Sequence, residues 1–559
     1  MEKRVIIAIG LCIAVLVVWT KLFPVRPPAA PPAPAPAAQV TTAATGATDA
    51  GHAAPAAAAT PGAAALPSAN RPEQQIELFT PEVRFVFSSL GGTLIHAQLR
   101  SAQYFDHPGD PSTAHDLVRM SDAKVAPFRT EFPKSGFPTP ADGAWAVQRP
   151  APDTVIFAAD AGNVHIEKRY IVDTTRYRLH LDVTVTNRSD QPVDQHLAVS
   201  IPGRQDPDKR GGGFLSGSSA SLSSMLCAVD DKVERRLIDK LGKEPIDKDG
   251  AVHWIAADEK FFLLAAVPYP ASPPLEGVCA AKTTGDGTGE VTLSFAERTV
   301  PARGTVDYAF AIFAGPKFIS DLDGVRPGNA DVRLDEAVDI SVAILPHAIL
   351  LPLSRAILGL LKFFHGFAHN WGLAIVLLTL FIKAVTFYPT QKSLLSAKRM
   401  QKLAPKMNAI RKKYENDRQR QSVETMNLYK AHGVSPFGGC LPSLIQMPIW
   451  IALYSTLNYA VELYRAPFIL HIHDLTAKDP YYITPVVMGS VMFLQMRMSP
   501  AGADQQQQQM MAVMMPLMFT GMSLFLPSGL ALYMLTSYLI GILQQLYINH
   551  LDRKGAAAI

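Results

Sequence analysis

The sequence predicts a polytopic α-helical membrane protein, with six transmembrane helices of which five form a core, and a large exported antiparallel β-sandwich domain. Three observations lead there. From about residue 341 the chain is dominated by apolar runs long enough to cross a bilayer. Between 73 and about 318, short segments alternate apolar with polar residues and are divided by turn residues. Basic residues are localised: Gln391–Val434 holds eleven Lys/Arg against three acids, a local +8 in a chain of net charge +4.

The N-terminal stretch, 1–23, places Met1-Glu2-Lys3-Arg4 before the apolar run Val5–Trp19 and fits a signal anchor, with Lys21 reaching the far interface. A cleaved signal peptide, cut near Ala33, Ala35 or Ala37, is the alternative. Residues 24–72, rich in Ala and Pro, carry too few large apolar side chains to bury a core and read as a disordered tether. The exported domain covers 73–343. Its strands are expected at Val83–Phe87, Val155–Phe157, Val164–Val172, Leu179–Thr186, Val291–Phe295 and Val306–Phe313. Gly211–Ser224 reads as a flexible loop, and Ile319–Gly324 and Asp335–Ala343 as short helices.

Residues 344–369 form an amphipathic segment. Ile349, Leu353, Ile357, Leu360, Leu361 and Phe364 share a face from which Arg355, Lys362 and His365 fall away, so the helix is expected to lie in the interface. The core, 370–550, then offers spans at 371–389, 441–460, 481–497, 510–526 and 528–548. A basic helical hairpin at 391–434 turns at Asn416-Asp417. A loop at 461–480 leads to the third of these spans, Gln505–Gln509 reads as a polar linker, and 551–559 is a short tail. Pro527-Ser528-Gly529 is so short that the last two spans must form a tight hairpin.

With six crossings, Lys3/Arg4, the +8 segment and Arg553/Lys554 all fall on one side, which the positive-inside rule makes cytoplasmic. Both termini are then cytoplasmic and the β-domain is outside. Of the four cysteines, Cys12 and Cys440 fall in membrane segments. Cys227 and Cys279 share the exported region, where pairing and free thiols are equally open.

Several residues suggest chemistry. Lys383 sits inside an apolar span, where a charge costs roughly 2.5–3.5 kcal/mol at mid-bilayer. Either it snorkels to nearby headgroups, six residues before Pro389, or it faces a hydrated cavity and attracts an acidic or polar guest. Thr379, one turn earlier, would add a hydroxyl; Gln446, Asn458 and Gln495 could line the same space or merely bond between helices. Ten of eighteen methionines fall between 488 and 522. Met488, Met492 and Met496 form one stripe; Met511, Met514, Met515, Met518 and Met522 form another. Such stripes are core packing or, because Met is flexible and polarizable, a slide for varied apolar segments. On the hairpin, Leu403, Met407, Ile410 and Tyr414 repeat at helical spacing, as do Val423, Met426 and Tyr429. Lys398, Arg399, Lys402 and Lys406, with Arg411, Lys412 and Lys413, form a face that either enforces topology against anionic lipid or docks an acidic or RNA-bearing partner such as a ribosome.

No Walker motif, HExxH, GxSxG, zinc-type Cys/His spacing or pair of intramembrane acids is present, and no inverted repeat is evident. No enzyme, metal or cofactor is expected, and a net charge of +4 points to no specific nucleic acid. A small-anion transporter or channel using Lys383, and a sensor whose β-domain binds a carbohydrate, remain alternatives.

The run Gly438-Gly439-Cys440-Leu441-Pro442-Ser443-Leu444-Ile445-Gln446-Met447-Pro448-Ile449 resembles the YidC membrane protein insertase family. So do Ala466-Pro467-Phe468, His473-Asp474-Leu475, Asp479-Pro480-Tyr481-Tyr482-Ile483 and Phe525-Leu526-Pro527-Ser528-Gly529-Leu530 followed by Leu532-Tyr533. The likeness covers about 345–550; the anchor and β-domain resemble the Gram-negative type by architecture. It implies a bacterial inner-membrane insertase and chaperone for nascent membrane proteins, acting alone or with the Sec translocon, with the β-domain periplasmic. It implies a hydrophilic groove open to cytoplasm and lipid, with Lys383 in the place of the groove's single positive charge. Many members have Arg there, so a bidentate contact to a guest carboxylate is lost. By the resemblance, substrate contacts would fall near Thr379, Met522 and Met534; Gln446, Met488, Met492 and Tyr533 are added to the expected groove from their places on the helices. Some relatives carry a long basic tail for ribosomes; with the sequence ending soon after Lys554, that work is expected of the hairpin.

Overall fold

A computed structural model of the protein describes residues 71–556 apart from 108, 119–124, 139, 141–142, 174–175, 206–222, 270–275, 286, 339–346, 416, 434–440 and 499–504. The expected anchor at 1–23, nearly all of the tether and of the Gly/Ser loop, and the Gly438-Gly439-Cys440 start of the motif lie outside the described residues.

The β-domain is built on alternation. In Arg178–Asn187 every second side chain, Leu179, Leu181, Val183, Val185 and Asn187, is buried, so one face of the strand feeds the core. The large sheet runs, neighbour by neighbour, through Arg129–Glu131, Ala198–Arg204, Thr288–Phe295, Glu276–Gly285, Ile246–Asp258, Phe262–Pro268, Thr305–Pro316, Arg178–Asn187, Val164–Val172, Thr154–Ala161 and Ala146–Ala151. Ile246–Asp258 is the hinge of the sandwich. Its first half pairs with Glu276–Gly285, its second with Ser224–Val229 and Phe262–Pro268. Gly250, at φ 146, makes the change of partner, a backbone conformation that L side chains rarely adopt.

The six expected strands are present, Val164–Val172 with the expected bounds and the other five within longer strands. Strands such as Phe262–Pro268 were not anticipated. That segment is apolar without a break because it is buried on both faces, so it lacks the alternating signal. Of the expected short helices, Ile319–Asp323 forms; Asp335–Ala337 lie in a 3-10 turn, Leu334–Ala337, and residues 339–343 of the second lie outside the described residues.

Cys227 and Cys279 are disulfide-bonded, both fully buried, and lie on two strands that pair with different halves of Ile246–Asp258. Closing a loop of 52 residues constrains the unfolded chain. Replacing both cysteines with serine is therefore expected to cost roughly 2–4 kcal/mol. Thermal unfolding of the two proteins, with and without reductant, checks this: reductant should lower the wild-type midpoint towards that of the double variant.

The segment leading out of the sandwich is pinned to it by polar contacts. Lys317 donates to Asp258 at 2.7 Å, Arg235 bridges Asp258 and the Ala337 carbonyl, and Trp254 donates to the Val332 carbonyl at 3.0 Å. The described residues belong to one compact unit.

Nine α-helices follow among the described residues: α1 (His347–Ala368), α2 (Trp371–Val385), α3 (Phe387–Lys402), α4 (Ala404–Lys413), α5 (Arg418–Ala431), α6 (Leu441–Tyr459), α7 (Ile483–Met498), α8 (Gln505–Ser523) and α9 (Ser528–Ala556). Asn370 caps α2 by accepting from the Leu373 amide, and Asp417 caps α5 by accepting from the Arg420 amide.

Several boundaries differ from expectation. The first core span stops at Val385, and α3 leaves it at 59°. Pro389 has no N–H to bond the Val385 carbonyl and its ring crowds that carbonyl, so the helix breaks here. The basic hairpin has an extra break at Leu403, where Pro405 opens α4. Gln505–Gln509, read as a linker, is the first turn of α8, and α9 continues through residues read as tail. Among the described residues, Leu350–Ala368 and Ser528–His550 are each long and apolar enough to cross a membrane, and the bent α2–α3 pair makes a third if counted as one span. Ile483–Met498 and Ala512–Ser523 are shorter apolar helices.

Candidate functional site

Lys383 projects from the last turn of α2 towards α6 and α9. Its ammonium donates to Gln446 Oε1 at 3.3 Å. The Gln446 amide nitrogen in turn donates to the Tyr533 hydroxyl and to Ser537 Oγ, both at 3.1 Å. Lys383 and Gln446 are half-buried; Tyr533 and Ser537 are buried. Among the described residues no carboxylate lies within ion-pair distance of Lys383. The helices thus bring together a chain of cation, amide and two hydroxyls on three separate elements, with the positive charge met, among the described residues, by a neutral acceptor.

Such an arrangement can hold water and attract a negative or polar group, and it offers no nucleophile–base pair for covalent chemistry. Ser537 was not anticipated. Its signal was present, because Tyr533, Ser537 and Gln544 fall at i, i+4 and i+11 on α9 and form one polar stripe. Gln544 sits further along it, buried, its amide 3.5 Å from the Phe387 carbonyl where α3 begins.

Other expected members sit differently. Thr379 is fully buried, and its hydroxyl donates to the Ile375 carbonyl of its own helix at 2.7 Å, so it adds no free hydroxyl to a cavity. Met488 and Met492 are packed inside the bundle on α7, with Met488 wholly inaccessible. Their stripe is core packing, because α7 is sandwiched between α8 and α9. Met534 is buried and Met522 half-buried against the core. Of the second stripe, Met514 and Met518 face outward, 60% and 57% exposed on α8 beside Val513 and Leu517, whereas Met515 and Met522 are half-buried.

Asn458 lies a third of a turn around α6 from Gln446 and is buried away from it. Gln495 is wedged against Gly541, where an added Cβ would collide with its amide. It therefore serves the close approach of α7 to α9.

The basic hairpin has a small core of its own. Leu403, Met407 and Tyr429 are buried, and the Tyr429 hydroxyl donates to Met407 Sδ at 3.2 Å. Arg399, Lys402, Lys406, Arg411, Lys412 and Lys413 are exposed, and Lys398 is half-buried. Lys406 lies 3.3 Å from His432 Nε2. Val423 and Met426 are exposed, because α5 turns towards α4 the face that carries Gln421 and Tyr429, which bond to the Arg411 carbonyl and to Met407. Among the described residues no group of His, Cys, Asp and Glu could hold a metal ion.

Two family models match the chain: one described as the 60Kd inner membrane protein over residues 363–555, the other as the YidC periplasmic domain over residues 75–345. A protein named membrane protein insertase YidC from Anaeromyxobacter sp. (strain Fw109-5) is 36% identical over 487 residues, covering 85% of each chain. Another of that name, from Anaeromyxobacter dehalogenans (strain 2CP-C), is 33% identical over 552 residues, covering 97% of this chain and 96% of its own. A solved active YidC insertase, with its first transmembrane domain resolved, aligns over 85% of this chain and 92% of that one. Its identity is 20% and its TM-score 0.34, too low to bear on the fold. On the matches along both halves of its length, the chain belongs to the YidC family of membrane protein insertases.

Proposed function

We propose that this protein inserts and folds integral proteins of the bacterial inner membrane, and that Lys383 is the polar foothold of that process. The observation that carries the reading is the Lys383–Gln446–Tyr533/Ser537 chain: a half-buried cation in an apolar helix, held by a neutral amide and left without a carboxylate among the described residues. A permanent partner would have neutralised it. A transient one can still do so.

In this reading α2, α6, α7, α8 and α9 cross the membrane, the anchor makes a sixth crossing, and α1 lies along the outer interface. The β-domain is periplasmic, and the +8 hairpin and both termini are cytoplasmic. A hydrophobic segment arrives with a polar flank that must cross. Water around Lys383 and Gln446 shortens the dry path, and the ammonium attracts acidic residues in the flank. The apolar part moves into lipid along the outward Met514/Met518 face of α8, driven by its own burial at roughly 25 cal/mol per Å². The Sec translocon is the expected partner for larger substrates, and the exposed basic hairpin the docking face for a ribosome. No nucleotide or cofactor enters.

A photocrosslinking residue at position 383, in cells synthesising a single-span substrate, tests this. Adducts with the nascent chain are expected, and they should disappear once that chain is released into lipid. Labelling of lipid alone would refute the reading.

A further inference from the structure

The loop at 461–480 joins more elements than its length requires. Asp479 accepts from the Thr484 and Tyr481 amides, at 2.7 and 3.0 Å, and so starts α7. Carbonyls of the same loop receive the start of α9: Ser528 N donates to Ala477 O at 2.7 Å, Gly529 N to Leu475 O at 2.9 Å, and Ser528 Oγ to Asp474 O at 2.7 Å. Asn370, the cap of α2, donates to the Phe468 carbonyl at 3.3 Å, and the Phe468 ring fills the space where a Cβ on Gly372 would lie. One loop thus fixes the same ends of α2, α7 and α9.

Its backbone is held against preference. Arg465, Leu470 and Tyr482 have φ of 52°, 54° and 57°, and His369, beside Asn370, has 50°. Left-handed conformations at non-glycine residues cost on the order of 1–2 kcal/mol each and persist where surrounding contacts impose them. At Arg465 those contacts come from the β-domain. Tyr464 packs among Phe261, Phe262 and Tyr104, with ring centroids at 5.0, 5.3 and 6.1 Å. Arg465, next along, donates to the Phe105 carbonyl and pairs with Asp106 at 2.6 Å.

We propose that Tyr464 and Arg465 are a latch by which the β-domain holds this loop, and through it the adjoining ends of α2, α7 and α9, in one closed and locally strained arrangement. The latch rests on contacts within the chain and stands whether or not the protein is an insertase. Its consequence is that the β-domain acts on the helical core mechanically: letting go of two residues relaxes the loop and frees the turn between α8 and α9.

Hydrogen exchange on the full-length protein in lipid nanodiscs tests this, comparing wild type, Arg465→Glu and the charge swap Arg465→Glu/Asp106→Arg. In Arg465→Glu, the amides of Leu475, Ser528 and Gly529 are expected to exchange about tenfold faster, while strand Val164–Val172 stays at the wild-type rate. The swap should return the loop to within about threefold of wild type. Unchanged exchange at Ser528 and Gly529 in Arg465→Glu, or a swap as fast as the single variant, overturns the latch. Should Arg465→Glu also loosen the strand, Arg465→Gln is read in its place. Acceleration confined to the loop and to Ser528 and Gly529 then supports the latch, and its absence overturns it.

Discussion

Lys383→Ala is expected to slow insertion of substrates with acidic exported flanks by about ten- to a hundredfold, the loss of one charge-assisted contact worth roughly 1.5–3 kcal/mol. Substrates with neutral flanks should lose less. The charge sits beside Gln446 with no carboxylate to balance it among the described residues, so a guest's acid meets an uncommitted ammonium. Lys383→Arg should keep most of the activity, since the reading asks for a positive charge more than for a particular donor geometry. Insertion into proteoliposomes, scored by protection of the translocated flank from protease, separates the cases. Equal rates for wild type, Lys383→Ala and Lys383→Arg would remove this charge from the mechanism. Loss in Arg and Ala alike would point to the fit of the lysine against Gln446 instead.

Lys168→Ala carries the largest expected effect on stability. This lysine is fully buried in the β-domain; it donates to the Phe128 carbonyl at 2.7 Å and the Gly91 carbonyl at 3.0 Å. It lies 5.7 and 5.8 Å from the Trp145 and Tyr170 ring centroids. Truncation leaves a cavity, orphans the buried Phe128 carbonyl and removes the bond to the half-buried Gly91 carbonyl, together about 4 kcal/mol. Lys168→Met, which fills the space but cannot donate, should cost about 2 kcal/mol.

The pH dependence has a definite sign. Burial holds the Lys168 ammonium well below the ordinary lysine value of 10.5. The unfolded chain therefore binds this proton more tightly than the folded one. Below the lowered value the penalty for charge is present in full. As pH rises from there towards 10.5, wild type gains stability that Lys168→Met cannot. The gap between the two proteins, followed by exchange of the slowest amides in Val164–Val172, should widen between pH 7 and pH 10. A constant gap would mean that the folded site keeps its proton as readily as the unfolded chain.

Much of the molecule can be read along the chain because the relevant forces are local. Alternation in Arg178–Asn187 fixes which side chains enter the core, since a strand turns successive residues to opposite faces. Asn370 and Asp417 mark helix starts, because a short acceptor satisfies amides that the helix leaves free. The +8 of the hairpin and the apolar runs around it establish a membrane protein and suggest its orientation. Lys383 announces itself by being charged where charge is costly.

Partners distant in sequence are another matter. Gln446 lies 63 residues from Lys383 and Tyr533 a further 87 along, and nothing in their spacing says that they meet. Periodicity shows that Met488 and Met492 share a helix face, as do Met514 and Met518, but not what covers that face. Packing buries the first pair between helices and leaves the second pointing outward. Phe262–Pro268 conceals its strand for the same reason, since burial on both sides erases the pattern that one wet side would write. The sequence by itself determined the solvent each segment prefers and the period of its backbone, because these depend on neighbours within a few residues. Tertiary structure alone decided which half-buried polar groups face one another, because that depends on how helices and strands far apart in the chain come to pack.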